Sequence, residues 1–288
     1  MLPNDFCVFI LTHGRPDTVV TDRTLRKSGY TGPIYYVIDN EDASVEQYRE
    51  RYGDDAVVVF DKKRMADMID EGDNFDDRRT TTHARNATFE AAKELGFRYF
   101  MQLDDDYQFF EFRTDGNGQY VGNGSKVLTT FDQIMESMLR FYKSIPAASI
   151  AMSQGGDFIG GANSRTAQTG KPLRKVMNSF ICSTDRPFRF LSRMNEDVNT
   201  YLHWGPRGKL FLTIPLVSLT QKGTQGNDEG MSVAYLKYGT YVKSFYSVMY
   251  APSAVRVSML NSSNKRIHHK IRWKNAAPVI IREEHRRV

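Results

Sequence analysis

Three consecutive carboxylates, Asp104, Asp105 and Asp106, follow directly on an apolar and aromatic run, Phe97–Leu103. The run predicts a buried β-strand, which puts the carboxylates at its carboxyl end. Like charges beside an apolar core repel each other and are costly unless a positive group compensates them. Hard oxygen ligands suit Mg²⁺ or Mn²⁺, which also hold phosphates. The triplet therefore predicts the floor of a metal–phosphate site, and the alternative is a solvated acidic turn.

A second candidate is the loop Thr12-His13-Gly14-Arg15, which ends the continuous apolar run Cys7–Leu11. The run is typical of a central parallel strand, and the residues after the loop are compatible with a helix. Backbone amides near a helix N-terminus, together with an arginine, suit a diphosphate. The alternative for Arg15 is an ion pair with a nearby acid.

Acids also end the next two predicted strands, Ile34–Ile38 and Ala56–Phe60, as Asp39 and Asp61. The succession of strand–helix units predicts a parallel sheet with helices on both faces. Ligands of such sheets bind beyond the carboxyl ends of the strands, where an acid can accept hydrogen bonds from a ribose or a base. We therefore expect Asp39 and Asp61 to contact the donor, and the alternative is that each only caps a helix.

Two later segments carry candidate acceptor-side residues. The glycines of Gly155-Gly156-Asp157 permit close backbone approach to a ligand, so this segment is predicted to bind the acceptor. Glu196 and Asp197 head a predicted helix. Acids in a first helical turn are favoured by the helix dipole, which is the alternative explanation for this pair.

The pattern changes after the acidic triplet. Alternation at Phe110 and Phe112, a turn at Asp115–Gly118 and then Tyr120 predict a β-hairpin, and Val255–Leu260 predicts a last strand. The predicted fold class is α/β, with a mostly parallel, Rossmann-like sheet flanked by helices and a small antiparallel β extension.

Composition excludes several classes of protein. The chain has 288 residues, 40% of them hydrophobic, so wholesale disorder is not expected. No long apolar run predicts a transmembrane helix, and the N-terminus shows no secretory signal, so we expect a cytoplasmic protein without a membrane partner. Cys7 and Cys182 lie in apolar runs and make no disulfide framework. The net charge is +5, and bases collect in Lys265–Val288, which can mark a polyanion-binding face.

The ordered set of motifs resembles the GT-A glycosyltransferases over about residues 5–205. The matching positions are Leu11–Pro16, Asp39, Ala84–Asn86, Leu103–Asp106 and Glu196–Asp197. Within that superfamily the chain is most similar to the phage-type DNA-base glycosyltransferases, which modify hydroxymethylated pyrimidines. The narrower likeness lies in the Thr-His-Gly-Arg-Pro loop, Asp104–Tyr107, Asn195–Asp197 and the basic C-terminus.

The resemblance implies a nucleotide-sugar donor, a uridine diphosphate sugar in most such enzymes, and a divalent cation, Mn²⁺ or Mg²⁺. It implies DNA as the acceptor and the cytoplasm of a phage-infected host as the location. The donor site would comprise Thr12, His13, Gly14, Arg15, Asp39, Asp61, Arg85, Asp104 and Asp105.

The resemblance also implies roles for single residues. Asp104 and Asp106 would hold the metal, and His268 or His269 could complete its shell, although a surface phosphate contact is an equal alternative. Asp197, or less readily Glu196, would be the general base for the acceptor hydroxyl. Bases and an aromatic in the C-terminal segment suit phosphates and stacking on an extruded base; these are Lys270, Arg272, Trp273 and Lys274.

The predicted domain organisation is one catalytic domain over 1–260, with a donor half 1–106 and an acceptor half 107–260, followed by the basic segment 261–288. Three alternatives stay open. The acceptor could be a glycan or a small molecule. A sugar nucleotidyltransferase is disfavoured because only Gly14-Arg15 stands where such enzymes have a glycine-rich loop. A catalytically silent nucleic-acid-binding protein is disfavoured because the acidic triplet repels phosphates. The sequence indicates neither the sugar, nor the stereochemistry of transfer, nor the oligomeric state.

Overall fold

A computed structural model describes residues 2–73, 77–122, 126–172, 177–221, 237–239, 241–260 and 266–278. Within these ranges the strands are β1 (Phe6–Leu11), β2 (Ile34–Asp39), β3 (Val57–Phe60), β4 (Tyr99–Asp104), β5 (Tyr107–Phe112), β6 (Ala147–Gln154), β7 (Phe180–Ser183), β8 (Leu210–Gln221), β9 (Val255–Leu260) and β10 (Arg266–Ile271). The helices are α1 (Thr21–Lys27), α2 (Val45–Tyr52), α3 (Lys62–Asp67), α4 (Thr82–Glu94), α5 (Phe131–Ser144), α6 (Arg165–Thr169), α7 (Glu196–Trp204), α8 (Val242–Tyr250) and α9 (Trp273–Ala276).

The main sheet has the strand order β3-β2-β1-β4-β7-β6-β8-β5. Strands β3, β2, β1 and β4 form its parallel half, with β1 paired on both sides. All six residues of β1 are buried, as expected for an apolar run at the centre of a parallel sheet. The register pairs Leu11 with both Val37 and Asp104, so the carboxyl ends of three strands meet at one edge.

The other half of the sheet contains antiparallel pairs. Strand β7 runs antiparallel to both β4 and β6, and β5 runs antiparallel to β8. The predicted turn at Asp115–Gly118 is flanked by an antiparallel bridge between Thr114 and Tyr120, whereas β5 itself pairs with the distant β8. Strand β8 offers a longer apolar partner than the glycine-rich turn segment does.

A separate two-stranded antiparallel sheet joins β9 and β10. The predicted strand Val255–Leu260 is confirmed as β9. Its partner, β10, lies in the segment that we expected to be a basic tail. The observed architecture, a mixed sheet with a parallel half, flanking helices and a small antiparallel sheet, confirms the predicted α/β fold class.

The chain divides into two compact units, each built from three segments. The first unit comprises 1–60, 87–187 and 211–222, and thus most of the main sheet. The second comprises 61–86, 188–210 and 223–288, including α7, α8 and the β9–β10 sheet. The predicted catalytic domain over 1–260 stays a prediction.

Helices of the first unit are amphipathic where they meet the sheet. Helix α5 buries one stripe of large side chains, comprising Phe131, Met135, Met138, Leu139 and Tyr142. This spacing of three and four residues is typical of an amphipathic helix with one face on a core. No helix in the described part of the chain is both long and apolar enough to span a membrane.

Candidate active site

The acidic triplet and the loop after β1 lie at the carboxyl edge of the parallel strands in the first unit. Asp104 is the last residue of β4, and Leu11, its neighbour in the register, ends β1. The loop that begins at Thr12 therefore starts beside the triplet. Backbone hydrogen bonds from Val20 and Thr21 to the carbonyl oxygen of Asp105 tie the start of α1 to the same place.

Asp105 is held by the loop after β1. Its side chain accepts a hydrogen bond of 2.8 Å from Thr12 Oγ1 and one of 3.0 Å from Arg15 Nη2. Asp105 is 4% exposed, and burial raises the pKa of its carboxyl, against the opposing effects of Arg15 and Thr12. The ion pair that was the alternative for Arg15 is thus present, with Asp105 as the partner.

The surroundings of Asp106 differ from those of Asp105. Its Oδ1 atom is buried and has no hydrogen-bond partner within the described residues. Burial, followed by repulsion from Asp104 and Asp105, raises the pKa of Asp106 to about 7. A buried carboxylate oxygen beside two further carboxylates is a position that a cation would satisfy.

Asp104 completes the acidic edge. Its Oδ2 lies 3.2 Å from the hydroxyl of Tyr107, and that hydroxyl is also 2.7 Å from the carbonyl oxygen of Asn178. In the described part of the chain, no group of three or more His, Cys, Asp or Glu side chains is arranged to hold a metal ion. Mg²⁺ commonly needs only one or two carboxylates, with waters and phosphate oxygens as its other ligands. Asp104 and Asp106 fit that requirement.

A relay of hydroxyl groups fixes the loop. The hydroxyl of Thr12 donates a hydrogen bond to Asp105, so the Thr12 oxygen accepts one from the hydroxyl of Tyr48 at 2.8 Å. The oxygen of Tyr48 in turn accepts from the backbone N–H of Arg15 at 2.8 Å. Tyr48 is fully buried on α2. One side chain thereby holds both ends of the Thr12–Arg15 loop.

Two further acids hold the middle of the loop. The backbone N–H of Gly14 donates to Asp42 Oδ2 at 2.7 Å, and Gly14 has a φ of 67°, a conformation that favours glycine. His13 Nδ1 lies 2.8 Å from Asp39 Oδ2 and 3.5 Å from Asp42 Oδ2. Asp39 is buried, whereas the His13 side chain is 54% exposed. Two acids of the first unit therefore hold His13, and its side chain stays more than half exposed.

The structure places other predicted residues in structural roles. Asp61 caps α3 by accepting from the backbone N–H of Arg64 at 2.9 Å, and it belongs to the second unit. Asp157 accepts from the backbone N–H of Gln154 at 2.9 Å and closes a capping box around the short 3₁₀ turn Gly155–Phe158. The helix-cap alternative thus holds for Asp61, and the ligand contacts of Asp61, Gly155, Gly156 and Asp157 stay predictions.

In the second unit, Glu196 and Arg85 are partners. Arg85 is buried, and its Nε lies 3.3 Å from Glu196 Oε1. The same oxygen accepts from Thr81 Oγ1 at 2.8 Å. Asp197 is buried at the start of α7, and its Oδ1 accepts from the backbone N–H of Val198 at 2.7 Å. A donor contact for Arg85 and a base role for Glu196 or Asp197 stay predictions.

The two late histidines lie next to each other on β10. Their rings are 4.1 Å apart, and His269 Nδ1 is 3.2 Å from the side-chain nitrogen of Asn195. Asn195 precedes α7 with a φ of 59°. Trp273 stacks on Tyr201 with ring centroids 5.9 Å apart. The metal contact of His268 or His269 and the base-stacking of Trp273 stay predictions.

The sequence model of one protein family, TET-associated glycosyltransferase, matches residues 6–230. The chain belongs to the TET-associated glycosyltransferase family. The matched span runs from β1 through the acidic triplet to the end of β8. Membership confirms the predicted class of enzyme, a glycosyltransferase.

Solved structures with distant similarity to this family member include three complexes of glucosyl-3-phosphoglycerate synthase from Mycobacterium tuberculosis. The complex with Mn²⁺, uridine diphosphate and phosphoglyceric acid has 10% identity and a TM-score of 0.48, over 92% of this chain and 86% of that one. The complex with Mg²⁺ and uridine diphosphate has 8% identity and a TM-score of 0.48, over 92% and 87%. The complex with Mn²⁺, uridine-diphosphate-glucose and phosphoglyceric acid has 9% identity and a TM-score of 0.46, over 91% and 85%. A search of curated proteins finds no match.

Sequence reasoning missed two residues of the site in this TET-associated glycosyltransferase, Asp42 and Tyr48. Asp42 stands three positions after the strand-end Asp39, and its contact with Gly14 spans 28 residues of chain. Tyr48 is the buried residue of α2, which also contains Val45 and Tyr52. The sequence therefore does not show which of its two tyrosines is buried, nor which loop that side chain reaches.

Proposed function

We propose that this protein transfers a sugar from a uridine diphosphate sugar to the hydroxymethyl group of a modified pyrimidine in DNA, with Mn²⁺ or Mg²⁺ held by Asp104 and Asp106. Family membership supports the transfer of a sugar. The observation that carries the metal–diphosphate assignment is the buried Asp106 Oδ1 atom without a partner among the described residues, at a ligand-binding edge of the sheet.

The leaving diphosphate gains negative charge as the bond to the sugar breaks. When bound, the divalent cation supplies electrostatic stabilisation of that charge. Arg15 adds a fixed positive charge, because Asp105 orients its guanidinium and Tyr48 fixes its backbone. Its side chain is 26% exposed, so part of the guanidinium can contact a phosphate while Nη2 remains on Asp105.

The nucleoside end of the donor is assigned to the edge formed by Asp39 and His13. Asp39 orients the His13 ring through Nδ1, and the 54% exposure of the His13 side chain supports a contact with a ribose or base. No described residue lies within 4 Å of where a Cβ on Gly14 would stand, and this open space supports a close approach of the donor to the Gly14 backbone.

The acceptor hydroxyl needs a general base. Glu196 already accepts a hydrogen bond from Thr81 Oγ1 and forms an ion pair with the buried Arg85. Asp197 is therefore the better candidate of the two. The DNA acceptor is supported by the family's description as TET-associated and by the resemblance to phage-type DNA-base glycosyltransferases.

The test is transfer of labelled sugar from a panel of nucleotide sugars to hydroxymethylated DNA, unmodified DNA and free glycans, with Mn²⁺ or with EDTA. We expect transfer only to hydroxymethylated DNA, only from uridine diphosphate sugars and only with metal. Transfer to glycans alone would show that the acceptor is a glycan and not DNA, and the protein would still be a glycosyltransferase. Undiminished transfer in EDTA would overturn the metal assignment, and pyrophosphate release from a nucleoside triphosphate and a sugar phosphate would indicate a nucleotidyltransferase.

A further inference from the structure

The C-terminal part of the chain has an unusual distribution of charge. No Asp or Glu occurs between Glu229 and Glu283. Bases recur throughout that interval, at Lys237, Lys243, Arg256, Lys265, Arg266, Lys270, Arg272, Lys274 and Arg282. A stretch with bases and no acids cannot neutralise itself locally, so it keeps a positive potential for a partner.

The register of the small sheet brings two of these bases together. Lys270 on β10 stands directly opposite Arg256 on β9, and both side chains are exposed. Like charges at directly opposed positions of an antiparallel pair destabilise the sheet. Neither side chain has an ion-pair partner among the residues that the structure describes. Within the described part of the chain the two charges are therefore uncompensated, and a bound anion would relieve their repulsion.

The alternation of side chains separates this pair from the rest of the protein. His269, next to Lys270 on β10, contacts Asn195 through Nδ1 at 3.2 Å, so its face of the hairpin is turned toward protein. Neighbouring residues of a strand point to opposite faces. Arg256 and Lys270 consequently share the face that is turned away from Asn195.

The segment after β10 extends this surface and is firmly held. Trp273 stacks on Tyr201, and the backbone N–H of Arg272 donates to the carbonyl oxygen of Ala254 at 2.7 Å. Exposed side chains of Arg272 and Lys274 flank the anchored Trp273. The backbone that carries them is already ordered, so binding costs less conformational entropy than it would for a flexible tail.

We propose that Arg256, Lys270, Arg272 and Lys274 form a basic hairpin surface that binds the phosphate backbone of the DNA acceptor. Lysine and arginine contacts to phosphates position a protein on DNA without reading its sequence. Trp273 then serves to anchor this surface and not to stack on an extruded base. The inference rests on the proposed function for the identity of the polyanion, and it adds Arg256 and a structural basis for the contact.

The test uses the double variant Arg256→Gln/Lys270→Gln and a matched control, Lys27→Gln/Lys93→Gln, which removes the same charge from exposed positions in the first unit. Fluorescence anisotropy measures binding to a 20-base-pair hydroxymethylated duplex at several salt concentrations. Each lost phosphate contact should lower the slope of log K against log salt by about 0.9, so the double variant should lose about 1.8. If the two proteins bind equally at 1 M salt, this difference in slope corresponds to roughly 60-fold weaker binding at 0.1 M salt, whereas the control should match the wild type.

Four outcomes decide the question. Equal affinity and slope for the wild type and Arg256→Gln/Lys270→Gln would overturn the inference, as would an equal loss in the control. Tighter wild-type binding to an RNA duplex of the same sequence, lost in the double variant, would replace DNA by RNA as the partner. The double variant could lose DNA binding while the wild type transfers no sugar to hydroxymethylated DNA. This result would support the basic hairpin surface and overturn the proposed acceptor. Thermal unfolding monitors the fold, and Arg272→Gln/Lys274→Gln repeats the test if the first variant unfolds.

Discussion

Replacing Asp106 with asparagine should stabilise this protein when no divalent cation is present. The Asp106 carboxyl lies beside Asp104 and Asp105, and its Oδ1 is buried without a hydrogen-bond partner in the described part of the chain. Burial and the two like charges raise the pKa of Asp106 to about 7. Asparagine keeps the shape of the side chain and removes the charge that the folded state disfavours.

The size of the effect follows from the displaced pKa. The pKa of Asp106 moves from 3.8 to about 7 on folding, and one unit corresponds to about 1.4 kcal/mol, so ionisation costs on the order of 4 kcal/mol above pH 7. Partial exposure and relaxation reduce this to about 2 kcal/mol. The folded state holds this proton up to about pH 7 and the unfolded state releases it near pH 3.8, so wild-type stability falls as pH rises through that interval.

Thermal unfolding in EDTA tests the prediction. At pH 8 the Asp106→Asn variant should melt about 4 to 8 °C above the wild type, and the difference should shrink toward pH 4. Added Mn²⁺ should raise the Tm of the wild type at pH 8 and leave that of the variant unchanged. Asp54→Asn, at a side chain that is 80% exposed, controls for the loss of one surface charge. A variant that melts below the wild type in EDTA at pH 8 would refute the account of Asp106.

Three other substitutions test the loop and the candidate base. Tyr48→Phe should weaken donor binding about tenfold and cost about 2 kcal/mol of stability, because the hydroxyl joins Thr12 to the backbone of Arg15 and each buried hydrogen bond contributes about 1 kcal/mol. Asp197→Asn should lower kcat by roughly 10²-fold at unchanged donor affinity, as expected for a lost general base. Glu196→Gln should instead lower the free energy of unfolding by about 3 kcal/mol, because it removes the negative charge that faces the buried guanidinium of Arg85.

Control variants and paired measurements distinguish these positioning and catalytic roles from a general loss of stability. Tyr142→Phe removes one buried hydrogen bond to Ala148 elsewhere in the first unit, so it should lower stability without changing donor affinity, as measured by calorimetry. Wild-type donor affinity in Tyr48→Phe would contradict the positioning role. If donor affinity and kcat fall together in Asp197→Asn, the residue is assigned to the donor site and not to the base. A Glu196→Gln protein with wild-type stability and no turnover would make Glu196 the base.

The strands of the parallel half could be predicted closely from sequence. The runs Cys7–Leu11 and Ile34–Ile38 became β1 and β2 with shifts of one residue at one end. The run Phe97–Leu103 became β4, which begins two residues later and ends one residue later. Strands buried on both faces are continuous apolar runs, so their composition alone marks them. The antiparallel pairing of β5 could not be predicted, because its partner β8 lies about a hundred residues away and a local turn offered a plausible alternative.

The groups that meet at the edge of the sheet could be predicted from the amino-acid sequence, because adjacent parallel strands end together and each predicted strand ended in a polar segment. The environment of each carboxylate, in contrast, depends on contacts that form only in the folded chain. Arg15 and Thr12 both donate hydrogen bonds to Asp105, whereas Asp106 Oδ1 has no hydrogen-bond partner within the described residues. Three neighbouring aspartates look alike in sequence, and their environments differ because each points to a different set of side chains brought from distant parts of the chain.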